Sequence, residues 1–240
     1  MKICDLHTHV LPDVDDGAWD METALKMLKN AVCSDVCALA LTPHTLLESE
    51  ADLEQLSVHR AVFEELCAAA QDLEMDLYLG AEVHVTPFLF ENAHALSLPT
   101  LNGGRYLLTE FPFYFPFRAH ERVLERFLES GIIPIIAHPE RYEEVKDDPS
   151  LAAVWVEMGC HLQLTSGSVL GDFGRRVKNA ADYLLERDLV CCVASDAHDL
   201  RYRNNFLMDV YDRLSVFRSP QYAHVLMWEN PMRILRDQDL

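Results

Sequence analysis

Histidine and carboxylate side chains follow short apolar segments along the whole chain. Six of seven such segments end in residues of these types. The residues are His7 and His9 after the first segment, His44 after the second, Glu82 after the third, Glu110 after the fourth, His138 after the fifth, and Asp196 with His198 after the seventh. Imidazole and carboxylate groups without a thiolate suit Mn, Fe or Zn in a hydrolytic site better than a structural zinc.

The repetition decides between a chemical and a structural interpretation of these residues. A lone His44 or Glu82 is more often a satisfied core residue or a helix cap. Packing alone does not produce the same placement at six strand ends, and the carboxyl ends of parallel strands are where sites are built. Because His7 and His9 lie two apart on one strand, they point to the same side. Asp5 shares that side one step deeper, and we expect it to orient an imidazole.

Short apolar runs alternate with longer amphipathic ones from end to end. Strands are predicted at 2–6, 36–41, 77–80, 106–108, 132–136, 161–164 and 190–194. Helices are predicted after Asp20, at 53–73, 119–129, 150–157 and 175–186, and from residue 204 onward, with a last turn opened by Asn230 and Pro231. No polar linker, repeat or low-complexity segment interrupts the seven strand–helix units, so we expect one α/β domain over 1–240 with a parallel sheet.

The distance between strand ends favours a closed sheet. Neighbouring strands lie about 4.8 Å apart, so the outer strands of an open seven-stranded sheet end roughly 29 Å apart. Side chains at six of these ends could not meet across that distance. Closing the sheet brings all of them to one rim, and we therefore expect a barrel.

Composition excludes several other classes of function. The 20 basic and 39 acidic residues give a net charge of −19, which argues against binding nucleic acid. No apolar stretch reaches the roughly 18 residues of a membrane span, and Asp5 and His7 occur before a signal-peptide core could form, so we expect neither a membrane span nor a signal peptide. The seven cysteines are therefore expected to be reduced thiols of a cytoplasmic protein. None is followed six positions later by the arginine of a cysteine-dependent phosphatase, so that chemistry is excluded.

The polar residues lie within motifs that together resemble a known family. These are DLHTHVLPDVDDG at 5–17, TPH at 42–44, GAE at 80–82, EFP at 110–112, HPER at 138–141 and SDAH at 195–198. In these motifs the chain is similar to the polymerase and histidinol phosphatase (PHP) superfamily, and within it to the bacterial CpsB/CapC-type tyrosine-protein phosphatases of capsule and exopolysaccharide operons. The resemblance implies a distorted (β/α)7 TIM-like barrel with three divalent metal ions. Mn is the expected metal, with Fe or Zn as alternatives.

The resemblance also implies how the ligands are shared among the metals. His7, His9, Glu82 and Asp196 would bind one metal; Glu82 would bridge to a second, completed by Glu110 and His138; Asp16, His44 and His198 would hold the third. Asp13 and Asp15 lie in the same loop as Asp16 and are alternatives to it. All nine positions carry side chains that can bind a metal.

The expected reaction is hydrolysis of a phosphomonoester. Arg141 and Arg203 are expected to clamp the phosphate, with Arg201 as the rival of Arg203. A metal-activated hydroxide would attack phosphorus in line, without a phosphoenzyme. His84 is expected to orient a ligand side chain without binding a metal itself. The aromatic run at 111–117 could form a lip that grips a phosphotyrosine ring, or it could pack on the barrel rim.

Three functions remain open from the sequence. The resemblance favours a metal-dependent protein-tyrosine phosphatase that regulates a bacterial tyrosine kinase in capsule or exopolysaccharide synthesis. The second is another phosphomonoesterase of the superfamily, such as a histidinol phosphatase. The third is a non-catalytic protein that docks on such a kinase, with metals serving only structure. The complete ligand set and Arg141 weigh against this third function.

Overall fold

The computed structural model of the protein describes residues 1–94, 96–112 and 117–240. The strands in these residues are β1 (Ile3–Thr8), β2 (Val36–Leu41), β3 (His44–Leu46), β4 (Asp76–Leu79), β5 (Glu82–His84), β6 (Tyr106–Glu110), β7 (Ile133–Ala137), β8 (His161–Thr165) and β9 (Cys192–Ala194). All the ladders between them are parallel. Each of the seven predicted strands is present, with ends within two residues of the prediction.

Two short strands, β3 and β5, are absent from the prediction because each continues the preceding strand after a two-residue break. The first break contains Pro43, which has no N–H to donate to a ladder. The second contains Gly80, where a Cβ would lie 2.6 Å from Leu101 Cδ2. β2 pairs with β4 and β3 pairs with β5, so the breaks leave the strand order intact.

The ladders place the strands in the order of a barrel. One sheet has the order β1-β2-β4 and the other has the order β3-β5-β6-β7-β8-β9. The segment after β9 returns to β1: Asp196 N donates to His7 O and His9 N donates to Ala197 O, each at 2.9 Å. Thr8 and Ala197 form a parallel bridge at the same place. The predicted arrangement of parallel strands is confirmed, and these bonds bring the first and last strands side by side.

The helices surround the strands and supply the outer layer. They are α1 (Met21–Cys33), α2 (Glu54–Ala69), α3 (Pro87–Asn92), α4 (Phe117–Glu129), α5 (Glu143–Asp147), α6 (Ala152–Glu157), α7 (Ser166–Leu170), α8 (Arg175–Glu186), α9 (Met208–Phe217), α10 (Pro220–His224) and α11 (Asn230–Leu235). Asp20 caps α1 as predicted, since its Oδ1 accepts from Thr23 N at 2.7 Å. The buried residues Ala24, Leu28 and Ala31 then form the inner face of α1. Within the described residues no helix combines the length and the apolar character that crossing a bilayer requires.

The sequence predicts a C-terminal helical segment from residue 204 onward, but its first helix, α9, begins at Met208. The side chain of Asn205 donates to Met27 O at 2.8 Å, and Leu207 N donates to Ser34 Oγ at 2.9 Å. These bonds hold the segment before α9 against α1. A tertiary contact therefore overrides the local helical pattern.

Candidate metal centre

The carboxyl ends of the strands carry the polar residues at one rim, as the sequence predicts. His7 lies near the end of β1, and Glu110 ends β6. Glu82 follows the carboxyl end of β4 and is the first residue of β5, which continues β4. His138 follows β7 and Asp196 follows β9, with φ of 35° and 55°. Residues other than glycine rarely adopt these left-handed conformations, and such strain concentrates at functional sites.

Four of the predicted ligands converge at the end of β1. His7 Nε2 and His9 Nε2 lie 3.1 Å apart. Glu82 Oε2 lies 3.2 Å from the His7 nitrogen and 3.4 Å from the His9 nitrogen. Asp196 Oδ1 lies 3.6 and 3.5 Å from the same two nitrogens. Ligand atoms about 2.1 Å from a tetrahedral ion are roughly 3.4 Å apart, so these spacings fit ligands of one divalent ion.

The chemistry of this cluster also fits a cation. All four side chains are buried. Two imidazole nitrogens facing each other at 3.1 Å can share only one proton in a hydrogen bond. Glu82 Oε2 accepts no hydrogen bond of good geometry from the described residues. A buried carboxylate oxygen in that position is costly unless a cation lies beside it.

Glu82 extends the site towards β6 and β7. His138 Nε2 lies 2.9 Å from Glu82 Oε1 and 3.6 Å from Glu110 Oε1, so the residues predicted for a second metal are together. His44 Nδ1 lies 2.9 Å from Glu82 Oε2, in a direction unsuited to a hydrogen bond. His84 Nδ1 lies 3.0 Å from Glu110 Oε2, which agrees with its expected orienting role. Glu82 therefore lies between the first cluster and the residues predicted for the second metal.

A third cluster lies at the solvent side of the first. Asp16 Oδ1 is 3.3 Å from His198 Nε2 and 3.5 Å from His44 Nε2. His9 joins these three residues, with one ligand atom from each within 4.8 Å of the others. The Asp16 side chain is 68% exposed, so this cluster opens to water. The structure thus brings every predicted ligand into one of three adjoining clusters.

Burial and charge act in opposite directions on the ionisable groups. Burial alone would lower the pKa of His7, but the carboxylates of Glu82 and Asp196 more than reverse this and raise it. Burial would raise the pKa of Glu82, but the surrounding imidazoles hold it well below its usual range. Burial and the charge of His9 lower the pKa of His198 to about 3. His198 is therefore a neutral imidazole, which is the form that binds metals.

Asp15 and Gln163 each contact the Nδ1 atom of a histidine whose Nε2 atom lies in the first cluster. Asp15, one of the alternatives to Asp16, is not in the third cluster, because its Oδ2 lies 2.7 Å from His9 Nδ1 and accepts from the His44 backbone N–H. Burial would raise the pKa of Asp15, but the hydrogen bond and charge of His9 bring it to about 2. A ring held through Nδ1 leaves Nε2 for a metal.

Gln163 holds His7 through Nδ1 as Asp15 holds His9, and it is not among the residues predicted from the sequence. Its Oε1 lies 2.8 Å from His7 Nδ1, and both side chains are fully buried. Gln163 lies in β8, the one predicted strand without a ligand at its carboxyl end. A single amide among apolar neighbours on that strand was the available signal.

Asp5 does not orient an imidazole, so that prediction is wrong. Its carboxylate accepts from Ser195 N at 2.9 Å and from Ser195 Oγ at 2.6 Å. The reason is that the segment after β9 lies beside β1, which brings Ser195 to Asp5, while Gln163 occupies the place behind His7. Burial raises the pKa of Asp5 to about 6. Asp5 thus anchors the residue that precedes Asp196.

Both arginines predicted to bind phosphate lie on the carboxylate of Asp196. Arg141 Nη1 is 2.9 Å from Oδ2, and Arg203 Nη2 is 2.8 Å from Oδ1. The Arg141 guanidinium also lies over the ring of Phe173, 5.1 Å from its centroid. Arg201 contributes its backbone N–H to the loop instead, so Arg203 is the arginine that reaches the clusters.

The aromatic run at 111–117 packs into the core at the two aromatic positions that the structure describes. Phe111 is fully buried and stacks on His120 with ring centroids 4.0 Å apart. Phe117 is 8% exposed and stacks on Trp155 at 4.9 Å. Neither forms a lip, and packing on the rim is the interpretation that holds for both. The other aromatic residues of the run, which lie outside the described residues, are Phe113, Tyr114 and Phe115.

Comparison with known proteins identifies relatives along nearly the whole chain. A family profile described as capsular polysaccharide synthesis, CpsB/CapC, matches residues 3–236. The tyrosine-protein phosphatase CpsB of Streptococcus pneumoniae is 31% identical over 240 residues, covering 98% of each chain. The tyrosine-protein phosphatase YwqE of Bacillus subtilis is 32% identical over 238 residues, covering 98% of this chain and 92% of its own.

The fold is similar to that of solved relatives. The chain superposes, with a TM-score of 0.88 and 31% identity, on a crystal structure from work on YwqE of Bacillus subtilis and CpsB of Streptococcus pneumoniae. That work describes them as unique metal-dependent tyrosine phosphatases, and the superposition covers 99% of this chain and 96% of the other. On the evidence of its sequence, its strand-end clusters and these matches, the chain belongs to the CpsB/CapC family of capsular polysaccharide synthesis proteins.

Proposed function

We propose that this protein is a metal-dependent phosphatase that hydrolyses phosphotyrosine in proteins. The observation that carries the proposal is the convergence of three His and carboxylate clusters, with two arginines on the carboxylate of Asp196. The relatives CpsB and YwqE are named tyrosine-protein phosphatases, and the chain matches them over nearly its whole length. Metal dependence is ascribed to the same two relatives.

Three divalent ions, with Mn ahead of Fe or Zn, are part of the proposal. One would be held by His7, His9, Glu82 and Asp196, a second by Glu82, Glu110 and His138, and a third by Asp16, His44 and His198. The distances within the clusters and the absence of thiolates from them support this assignment. Bound there, such ions supply Lewis-acid polarisation of a phosphate ester and a hydroxide nucleophile at neutral pH.

Arg141 and Arg203 would bind the phosphate of the substrate. A planar guanidinium with several N–H donors matches the oxygens of a phosphate, and the hydrogen bonds from Arg141 and Arg203 to Asp196 hold both groups beside the clusters. Asp196 is itself buried, which fixes both guanidinium groups at the edge of the clusters. A phenolate leaving group has a pKa near 10 and needs less protonation than an alkoxide, so the site can work without a strong general acid.

We further propose that the substrate is a bacterial tyrosine kinase that controls capsule or exopolysaccharide synthesis, and that the protein works in the cytoplasm. The family description as capsular polysaccharide synthesis supports the first part. The seven cysteines, all free thiols in the structure, are consistent with a reducing compartment. Dephosphorylation of such a kinase by the purified protein is the direct check.

The test of the reaction is phosphate release from a phosphotyrosine peptide and from histidinol phosphate, side by side, with Mn²⁺ and with a chelator. We expect chelator-sensitive release that is faster from the peptide. His138→Ala and Arg141→Ala should each lower kcat/KM by about 100-fold, because each removes a group from the place where charge develops. His224→Ala in α10, outside the three clusters, is the control and should retain activity.

Each other result would contradict a defined part of the proposal. A preference for histidinol phosphate would overturn the substrate class and favour the second function. Release that persists in chelator would overturn metal dependence. No release from either substrate by protein with metals bound would favour the docking function.

A further inference from the structure

An aromatic ring beside Arg141 comes from the segment after β8, the one predicted strand without a ligand at its carboxyl end. The guanidinium carbon of Arg141 lies over the ring of Phe173, 5.1 Å from its centroid. Phe173 belongs to the turn 171–174, which joins α7 to α8. A cation over an aromatic face is attracted by the negative potential of the ring, so this contact favours one placement of the guanidinium.

The turn that carries Phe173 is held by backbone hydrogen bonds to α7. Gly171 N and Asp172 N both donate to Gly167 O at 2.8 Å. Gly174 N donates to Gly171 O at 3.1 Å, and these two glycines have φ of 88° and 99°, which residues with a Cβ rarely adopt. The ring lies close to the helix, because a Cβ added at Gly167 would be 3.0 Å from Phe173 Cε2. The turn therefore presents the ring in a fixed place.

A second contact ties the same segment to the residue before Arg141. Glu140 is fully buried, and its Oε1 accepts from Thr165 N at 3.0 Å. Thr165 is the last residue of β8 and immediately precedes α7. The start of the segment is thus bonded to Glu140, and its far end returns a ring to the side chain of Arg141. Two separate contacts therefore connect residues 165–174 to residues 140 and 141.

Phe173 is more exposed than the phenylalanines that build the core. Its exposed fraction is 37%, whereas Phe111 and Phe127 are fully buried. Loss of the Phe173 ring should therefore cost the fold much less than loss of a core ring, because burial of apolar area scales with stability. A ring that is only partly buried and is held on an ordered turn over a guanidinium has its main effect on that guanidinium.

We propose that Phe173 is a positioning residue for phosphate binding, because its ring holds the Arg141 guanidinium beside Asp196 at the edge of the metal clusters. This inference rests on the proposed function and adds to it a residue that acts through Arg141 rather than on the phosphate itself. An arginine side chain has several rotatable bonds, and fixing them when phosphate binds lowers affinity. A guanidinium that already lies between Asp196 and the Phe173 ring has lost part of that freedom beforehand.

The experiment measures binding of inorganic phosphate to the metal-loaded protein by calorimetry, beside kcat/KM for a phosphotyrosine peptide. Phe173→Leu keeps an apolar side chain without a ring, and it should weaken phosphate binding and lower kcat/KM by about three- to ten-fold each. Phe173→Tyr keeps the ring and should retain both values within about two-fold. Urea unfolding of the metal-free variants checks that each is folded.

A double-variant cycle with Arg141→Ala separates positioning of Arg141 from a general structural role. Once Arg141 is removed, Phe173→Leu should change phosphate affinity by less than about two-fold, because the ring has no guanidinium left to hold. Equal losses with and without Arg141 would overturn the inference, and so would unchanged phosphate affinity in Phe173→Leu alone.

The matched control is Tyr183→Leu on α8, which removes a ring from under another arginine. The guanidinium carbon of Arg187 lies 3.5 Å from the centroid of the Tyr183 ring, and neither residue belongs to the three clusters. This variant should leave phosphate affinity unchanged, and a loss equal to that of Phe173→Leu would contradict a specific effect on Arg141. Failure of the proposed function is a separate result, because it would show as absent peptide turnover in the unsubstituted enzyme, whereas phosphate binding tests Phe173 without turnover.

Discussion

Gln163→Leu should weaken metal binding at the first cluster by 10- to 100-fold while leaving the metal-free fold nearly as stable. A His7 that binds a metal through Nε2 carries its proton on Nδ1, and that proton is donated to Gln163 Oε1 at 2.8 Å. Both side chains are fully buried, so water does not replace the lost acceptor. Loss of such a partner typically costs 10- to 100-fold in metal affinity, which is about 1.4 to 2.7 kcal/mol.

The stability of the metal-free protein should respond differently from metal affinity. Leucine leaves the His7 Nδ1–H without an acceptor, but it also removes Gln163 Nε2, a buried donor that has no acceptor among the described residues. The two effects oppose each other, and we expect the free energy of unfolding to change by less than about 1 kcal/mol. A purely structural role for Gln163 would move stability and metal affinity together.

The assay is competition for metal against a chromophoric chelator, with urea unfolding in the presence of chelator as the second measurement. Gln163→Glu is the matched control, because it keeps an acceptor oxygen for His7 Nδ1 and should keep the metal affinity. Unchanged affinity in Gln163→Leu would refute the reasoning. Equal losses of affinity in the leucine and glutamate variants would refute it as well, because the acceptor would then be irrelevant.

Two further predictions concern the fold around the site. Gly17→Ala should lower the free energy of unfolding by about 3 kcal/mol, because a Cβ there would lie 1.9 Å from His9 O. Gly131 has a φ of 79° and no atom near the position of a Cβ, so Gly131→Ala should lower the free energy of unfolding by only about 1 kcal/mol. Urea unfolding of both variants measures the difference. The pKa of buried Asp5 is about 6 against 3.8 unfolded, so its contribution to stability is fully present below pH 3.8 and is lost as pH rises through 6, by about 3 kcal/mol. Asp5→Asn should remove that loss, so the stability of the metal-free variant relative to wild type should increase between pH 4 and pH 8; a constant difference would contradict it.

That the predicted ligands lie together could be anticipated from the sequence, because each is tied to a pattern that lies within a few residues. The run Ile133–Ala137 is apolar enough to be a strand, and the polar His138 that follows it must lie at its carboxyl end. The same is true of Val36–Leu41 and His44. In a parallel sheet all these ends face the same way, so local patterns are sufficient to assemble a site.

The residues that hold the ligands could not be predicted in the same way, because their contacts depend on register between distant strands. Gln163 and His7 are separated by 156 residues, and Asp5 and Ser195 by 190. Side-chain alternation along β1 places Asp5 on the same side as His7. Alternation does not say which strand supplies the neighbour, and a hydrogen-bond acceptor can only be assigned when that neighbour is known.

Asp196 lies beside both the histidines of the first cluster and the two arginines. A carboxylate has two oxygens with about four lone-pair positions, so Asp196 Oδ1 can face the nitrogens of His7 and His9 and also accept from Arg203, while Oδ2 accepts from Arg141. If the two arginines bind phosphate as proposed, Asp196 already holds both of them at the edge of the clusters. In the proposed reaction, preorganisation of this kind would avoid a reorganisation cost, because one buried carboxylate connects the predicted metal ligands to the two arginines that are proposed to bind phosphate.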